Sequence, residues 1–484
     1  MQGKRIAIIG SGHSGLCMAI RLKRAGIDSF TIFEKATALG GTWRENTYPG
    51  AACDSPSLIY CYSFEQKTDW SKKWSGQNEI LGYQQHCADK YGLNSHFRFN
   101  TEIASAQFHQ ETGEWFLTTV SGEEIVVDIL ISAVGQLSTP AIPDIPGLED
   151  FQGPSWHTAR WNHDFDLTGK KVAMIGSAAT AVQATPQLAK KVAQLHVFQR
   201  SPNWIVKQGN RPFKPWETWA LKHVPLAARL CRYFIMSKSE FFLRGINKQK
   251  QWLVKLASAG VLGRIKEEVK DENLQKAFVP EFVIGAKRVL VFDNYYTSFN
   301  RDNVNLVCDG IERVKENSIL TEAGEEIEVD AIVLSTGFNT NQFLVPMEIT
   351  GLNGLTLDAE WNAGAHAYKG ITVADFPNFF MMYGPNTNLG HLSIIYMIEC
   401  QANYILDGIK TLSKRNEKSL NLKREVMADY NEKLQQQLGT MAWSTVDHSW
   451  YMTKDRKIVN NYPGSSPEYW WATRRFDEGS YQAV

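Results

Sequence analysis

The chain has 484 residues, with Lys+Arg and Asp+Glu both at 51 and a formal net charge of zero. That balance argues against a protein built to neutralise nucleic-acid phosphates. Hydrophobic residues at 43% and charged residues at 21% exclude a disordered chain.

At ~150 residues per domain, the length allows roughly three domains. No apolar run approaches the ~18 residues of a transmembrane segment. The apolar run after Lys4-Arg5 breaks at Gly10, too early for a secretory leader. The seven cysteines are scattered without a C-x-x-C pair, which argues against a disulfide framework, a zinc site or a dithiol redox centre. The expected location is therefore the cytoplasm, and no metal site is expected.

The first predicted strand is Arg5–Ile9. Gly10-Ser11-Gly12-His13-Ser14-Gly15 follows, and then Leu16, Ala19, Ile20 and Leu22 share one helical face up to Gly26. Phe30–Phe33 is the next strand, closed by Glu34. This strand–turn–helix–strand carries G-x-G-x-x-G in its turn. Gly10 permits the tight bend, Gly12 lets a pyrophosphate approach the backbone, and Gly15 lets the helix pack close. The helix N-terminus then faces the phosphates. Glu34 lies 19 residues after Gly15 (34 minus 15), where a carboxylate takes a ribose hydroxyl.

Asp128–Val134 is a further strand, ending at Gly135. A second unit opens with the strand Lys171–Ile175 and the turn Gly176-Ser177-Ala178-Ala179-Thr180-Ala181, and its helix is expected from Val182 to Leu188. Ala178 and Ala181 replace the second and third glycines. Leu195–Phe198 closes the unit and ends in Gln199-Arg200-Ser201. Arg200 stands where the first unit has its acid. A 2′-phosphate prefers a cation there, so the expectation is NADPH rather than NADH, the other reading being a solvated surface arginine.

Residues 211–280 have a helical pattern with 14 Lys+Arg against 6 Asp+Glu, an excess of eight, interleaved with Tyr233, Phe234, Phe241, Phe242 and Trp252. This reads as a helical cap with a solvated charged face. The alternative is a basic amphipathic surface that touches a membrane or guards a lipophilic entry. Asp330–Leu334 is a last strand, ending in Ser335-Thr336-Gly337.

The expected class is α/β, with two Rossmann-like dinucleotide-binding domains, for FAD and NADP, and a helical insertion. The FAD-binding domain spans 1–138 and resumes at 335–484. The NADP-binding domain spans 139–210 and 281–334, around the insertion 211–280. Two such units imply electrons passing from NADPH to FAD. Without a dithiol, their outlet is oxygen, a quinone or another carrier.

Several motifs tie the chain to a known family. Phe151-x-Gly153-x-x-x-His157-Thr158-x-x-Trp161 matches the F-x-G-x-x-x-H-T-x-x-W fingerprint of Baeyer–Villiger monooxygenases, and Trp161-Asn162 stands where flavin-containing monooxygenases carry Tyr-Lys. Gly40-Gly41-Thr42-Trp43, Tyr48-Pro49-Gly50 and Asp54 match a second signature, and Gly285-Ala286-Lys287-Arg288 and Gly384-Pro385-Asn386 are also similar. The chain resembles this family of class B flavoprotein monooxygenases over essentially its whole length. It departs at Ala52, where some members have arginine, and at Ala178.

The resemblance implies a reaction with O2 and a small-molecule ketone, giving an ester or lactone through a flavin C4a-peroxide. It implies a catalytic role for Arg288, whose permanent charge would stabilise the oxyanion, with Asp54 orienting it. Gly41, Thr42, Trp43, Tyr60 and Ile103 would contact FAD. Gly176, Ser177, Thr180, Ala181, Gln183, Arg200, Ser201 and Lys287 would contact NADP, with Arg200 and Lys287 clamping the 2′-phosphate. Trp450 resembles the family's mobile-loop tryptophan. His157 is expected either to make a domain-linking hydrogen bond or to be a satisfied linker histidine, and His391 to lie near the flavin-side loop with no assigned chemistry. The alternatives are N- or S-oxygenation by the same oxidant, an uncoupled NADPH oxidase, and a non-catalytic nucleotide sensor.

Overall fold

The computed structural model describes residues 3–484. Its first parallel sheet forms from short apolar runs. Ile6–Ile9 lies between Phe30–Phe33 and Ile129–Ser132, with Ile6 opposite both Phe30 and Ile129. Phe97–Arg98 and Phe379–Met381 extend the two edges, making five parallel strands. Strands covered on both faces need no polar alternation, hence IAII and ILIS. Helix His13–Arg24 covers one face. Leu16, Ala19, Ile20 and Leu22 are fully buried, and the helix packs on both the sheet and helix Ile394–Arg415.

A second parallel sheet repeats the arrangement. Its order is Val304–Val307, Gln194–Phe198, Lys171–Ile175, Ala331–Leu334 and Ser155–His157. The Phe151–Trp161 fingerprint contains its edge strand. Gly153 has no room for a side chain, since a Cβ there would lie 2.5 Å from the Asp330 carbonyl oxygen.

Beside each sheet is an antiparallel meander that the sequence reading does not contain. One is Ile103–His109, Glu114–Thr119 and Glu124–Val127. The other is Ile311–Val314, Ser318–Thr321 and Glu326–Glu328. Their turns carry Gly113, Gly122 and Gly324 at φ +74°, +87° and +86°. Thr-Gly, Ser-Gly and Ala-Gly between alternating runs are the local signals for these hairpins.

Several expected boundaries shift. The first strand starts at Ile6 rather than Arg5, because the Arg5 amide donates to the Asp128 carboxylate at 2.6 Å. The expected strand Asp128–Val134 contracts to Ile129–Ser132, and Asp330–Leu334 starts at Ala331. The second nucleotide helix starts at Ala179 rather than Val182, since extended Ala178 already caps it. The stretch 211–280 is helical, as expected, and comprises four helices: Pro215–His223, Ala227–Asn247, Gln251–Glu268 and Glu272–Ala277. Pro225 and the left-handed Leu226 (φ +65°) break it at the first junction.

Two buried arginines fasten this insertion. Arg232 donates to the carbonyl oxygens of Leu58 and Cys61 at 3.1 and 2.8 Å. Arg264 donates to the Phe292 carbonyl at 2.8 Å and pairs with Glu268 at 2.9 Å. A guanidinium has five donors, so a buried one needs several acceptors to offset its lost hydration. No helix among the described residues is long and apolar enough to cross a membrane.

Candidate active site

The first glycine turn has the shape a pyrophosphate requires. Gly10 adopts φ +104°, and a Cβ there would lie 2.7 Å from the Ala133 carbonyl oxygen. At Gly15 a Cβ would lie 1.9 Å from the Gly10 carbonyl oxygen, so helix and strand meet with no space for a side chain. Gly12 differs. The nearest atom to a Cβ there is the Gly41 Cα at 3.7 Å, so hydrogen at this position keeps an approach to the backbone open. Gly41 has φ +52° and opens the short helix Thr42–Glu45. These features fit a dinucleotide on this turn.

Glu34 is buried at the end of the second strand. Its Oε2 accepts from the Ser11 amide and hydroxyl at 3.0 and 2.6 Å, and its Oε1 accepts from the Ala36 amide at 3.0 Å. Arg44 Nη1 stands 3.5 Å from Oε1. The carboxylate is thus fixed in place and retains one acceptor site, on Oε1, for a ribose hydroxyl. Ile103 follows directly, since the Thr101 amide bonds the Glu34 carbonyl at 2.9 Å. Trp43 Nε1 donates to the Tyr60 hydroxyl at 3.0 Å, and the two rings meet edge to face. His13, beside Gly12, is pushed down to about 3 by burial and is therefore neutral.

The second turn repeats the logic with alanines. Gly176 has φ +111°, and a Cβ there would lie 2.4 Å from the Ser335 carbonyl oxygen. Ala181 is fully buried, and Ser177 Oγ donates to the Ser201 carbonyl at 3.4 Å. Burial first, and then the nearby Arg200, lower the Lys287 ammonium from its ordinary value. A neighbouring cation disfavours the charge on Lys287, and an anionic phosphate beside it removes that conflict. These residues fit a 2′-phosphorylated dinucleotide. Lys287 also sits 4.7 Å over the Phe282 ring.

Arg288 Nε and Nη2 both donate to Asp54 Oδ2, at 3.0 and 2.5 Å. The partners are 234 residues apart in sequence. Asp54 is the largest cause raising the Arg288 guanidinium above its ordinary value, against the opposing effect of burial. The Arg288 side chain still keeps 38% of its surface open, so the face away from Asp54 can meet a reactant. Its Nη1 makes no hydrogen bond among the described residues. The adjoining cleft is lined by Leu243, Ile246, Asn247, Arg288, Gly390 and Trp443.

Other expected residues take different places. Gln183 Oε1 accepts from the Tyr48 hydroxyl at 2.7 Å and the Ala52 amide at 3.3 Å, and its Nε2 donates to the Ala52 carbonyl at 2.9 Å. It braces the first half of the chain against the second, with Thr180 beside Tyr48. His391 Nε2 meets Glu240 Oε2 at 3.0 Å, tying its loop to the insertion. His157 Nδ1 accepts from the Ala159 amide at 3.1 Å, and burial lowers its imidazole. Trp450 is half-buried on Tyr451, and its carbonyl is held by Thr340 and Asn460.

Sequence reasoning missed two phenols. Tyr383 is pushed up to about 12 by burial, with Arg288 acting in the opposite direction. Tyr451 is raised by burial and also interacts with Arg288. Tyr383 adopts φ +59°, a strained position for a bulky residue, directly before Gly384-Pro385-Asn386. That adjoining motif is the signal that could have found it.

A profile of the flavin-binding monooxygenase-like family matches residues 3–463, and the chain belongs to this family. It is 39% identical over 479 residues to a Baeyer–Villiger monooxygenase of Pseudomonas aeruginosa, covering 99% of this chain and 91% of that one. It is 37% identical to a Baeyer–Villiger monooxygenase of Streptomyces coelicolor, with 99% and 92% covered. Its fold is similar to the crystal structure of OTEMO in complex with FAD and NADP, with a TM-score of 0.89, 27% identity, and 100% and 99% of the two chains covered.

Proposed function

We propose that this chain is an NADPH-dependent flavoprotein monooxygenase that inserts one oxygen atom beside a ketone carbonyl. Ketone, O2, NADPH and a proton give ester or lactone, NADP+ and water. The observation that carries the reading is the Arg288–Asp54 pair, whose arginine lines a cleft and keeps part of its surface open. Bound FAD, reduced by NADPH, supplies the activated oxygen.

In this reading Gly10, Gly12 and Gly15 hold the FAD pyrophosphate, and Glu34 holds its ribose. Thr42, Trp43 and Tyr60 border the flavin, and Ile103 the adenine. Ser177, Thr180 and Ser201 border NADP, and Arg200 and Lys287 bind its 2′-phosphate. Arg288 keeps a positive charge where negative charge develops on oxygen, and Asp54 holds that guanidinium in one orientation. The apolar wall of Leu243, Ile246 and Trp443 limits water beside it. The reading divides the chain at 138, 210, 280 and 334 and places it in the cytoplasm, in keeping with its seven free cysteines.

The test is purified holoenzyme with NADPH, isotopically labelled O2 and cyclic, aryl and aliphatic ketones. The expected product is an ester or lactone carrying one labelled atom. Labelled sulfoxide or N-oxide from parallel substrates, with no ester from any ketone, would overturn the reading.

Arg200→Gln removes one cation from the phosphate clamp. A charge-assisted hydrogen bond of about 1.5–3 kcal/mol predicts a rise in KM for NADPH of roughly tenfold to a hundredfold. The KM for NADH should be nearly unchanged. Steady-state kinetics with both nucleotides checks this.

A further inference from the structure

The insertion presents an outward surface that the oxygenation chemistry does not use. Helix Ala227–Asn247 buries Arg232, which anchors it to Leu58 and Cys61. At about 100° per residue, Leu230, Phe234 and Phe241 lie roughly half a turn from Arg232. They face out, with Leu230 at 65% and Phe234 at 72% of their surface exposed. The following helix, Gln251–Glu268, adds exposed Trp252 and Leu256. The rings of Phe241 and Trp252 are 6.3 Å apart, so the apolar surface continues from one helix to the next. Exposed Trp216 and Trp219 precede it on the adjoining helix Pro215–His223. Contiguous exposure on this scale marks an interaction surface.

Cations are set among these side chains. Lys238, Lys248, Lys250 and Lys255 are exposed, and Lys250 lies 5.8 Å over the Phe241 ring. Residues 211–280 hold 14 Lys+Arg against 6 Asp+Glu, an excess of eight.

We propose that this face docks on an anionic lipid bilayer, its aromatic and leucine side chains among the headgroups and its lysines against their negative charge. Charge decides the occupant. Two-fold pairing of two copies through this patch would set its exposed Lys238, Lys248, Lys250 and Lys255 against their own copies. Anionic headgroups complement it. Docking is peripheral, since no described helix can cross the bilayer. The same helix lends Leu243, Ile246 and Asn247 to the cleft beside Arg288. On the ketone reading proposed above, lipophilic ketones therefore reach the cleft from the lipid side.

The test is sedimentation of flavin-loaded full chain with vesicles of phosphatidylcholine, alone or mixed with phosphatidylglycerol. It reads binding without ketone turnover, so it fails or succeeds independently of the ester assay. The mixed vesicles should bind on the order of tenfold more protein, less so as salt rises. Leu230→Ser with Phe234→Ser should lower the bound fraction on the order of tenfold. Flavin content and NADPH oxidation should stay unchanged, and Phe234→Trp should retain binding. Three results would overturn the proposal: no sedimentation with mixed vesicles, equal binding by the double variant, or a native dimer that the double variant breaks.

Discussion

Arg288→Ala is expected to leave a protein that takes up flavin and oxidises NADPH but yields hydrogen peroxide instead of ester. Removing a preorganised donor from a developing oxyanion costs roughly a hundredfold to a thousandfold in rate. The guanidinium is well placed for that role. Two of its nitrogens are tied to Asp54, and 38% of its surface remains open. Lysine keeps the charge but lacks the fork that binds Asp54 through two nitrogens, so Arg288→Lys should recover only part of the ester yield. Asp54→Asn should fall between these variants, since it keeps the shape and removes the charge that raises the Arg288 guanidinium. Ester, peroxide and NADPH measured together in one reaction decide the matter. Ester formation at the native rate by Arg288→Ala would remove Arg288 from the chemistry.

Gly15→Ala should have the larger effect on the protein itself. Its Cβ would lie 1.9 Å from a backbone oxygen, and backbone cannot rotate away as a side chain can. Forced overpacking costs about 1–3 kcal/mol where side chains give way, and more where backbone must move. The variant should therefore melt lower both with and without FAD. Gly12→Ala makes the contrast. Its Cβ meets nothing closer than 3.7 Å, so the flavin-free protein should melt like the native one while FAD affinity drops. Thermal melting with and without FAD, plus a fluorescence titration of FAD, separates the two. Equal melting of flavin-free Gly15→Ala and native protein would contradict the packing account.

What the sequence reveals here follows from how local each cause is. The two glycine turns are legible because a tight bend, a close approach and a helix start all fall within six residues. Glu34 and Arg200 are legible because they end a strand at a set distance from those turns. Arg288 and Asp54 lie 234 residues apart, and only the family resemblance named both before the fold brought them together. The meanders were missed because their alternation is short and their single-glycine turns are weak signals. Gln183 lies in the second nucleotide helix, yet its amide is taken up by Tyr48 and Ala52. No pattern in sequence announces a bridge of that kind. Tyr383 and Tyr451 reach the site through the fold around residues 383 and 451, far from either glycine turn.

The strand order of the two sheets has a consequence for biosynthesis. The second sheet draws its strands from residues 155 to 334, whereas the first needs Phe379–Met381 beside Ile129–Ser132 and helix Ile394–Arg415 over helix His13–Arg24. A nascent chain therefore holds every strand of the NADP half while the earlier-made FAD half still lacks an edge and a cover. The N-terminal portion must wait on the ribosome, with Ile129–Ser132 short of its partner, until some 250 further residues have emerged. Translation pauses or chaperone contacts in that interval should govern yield more than the stability of the finished enzyme does.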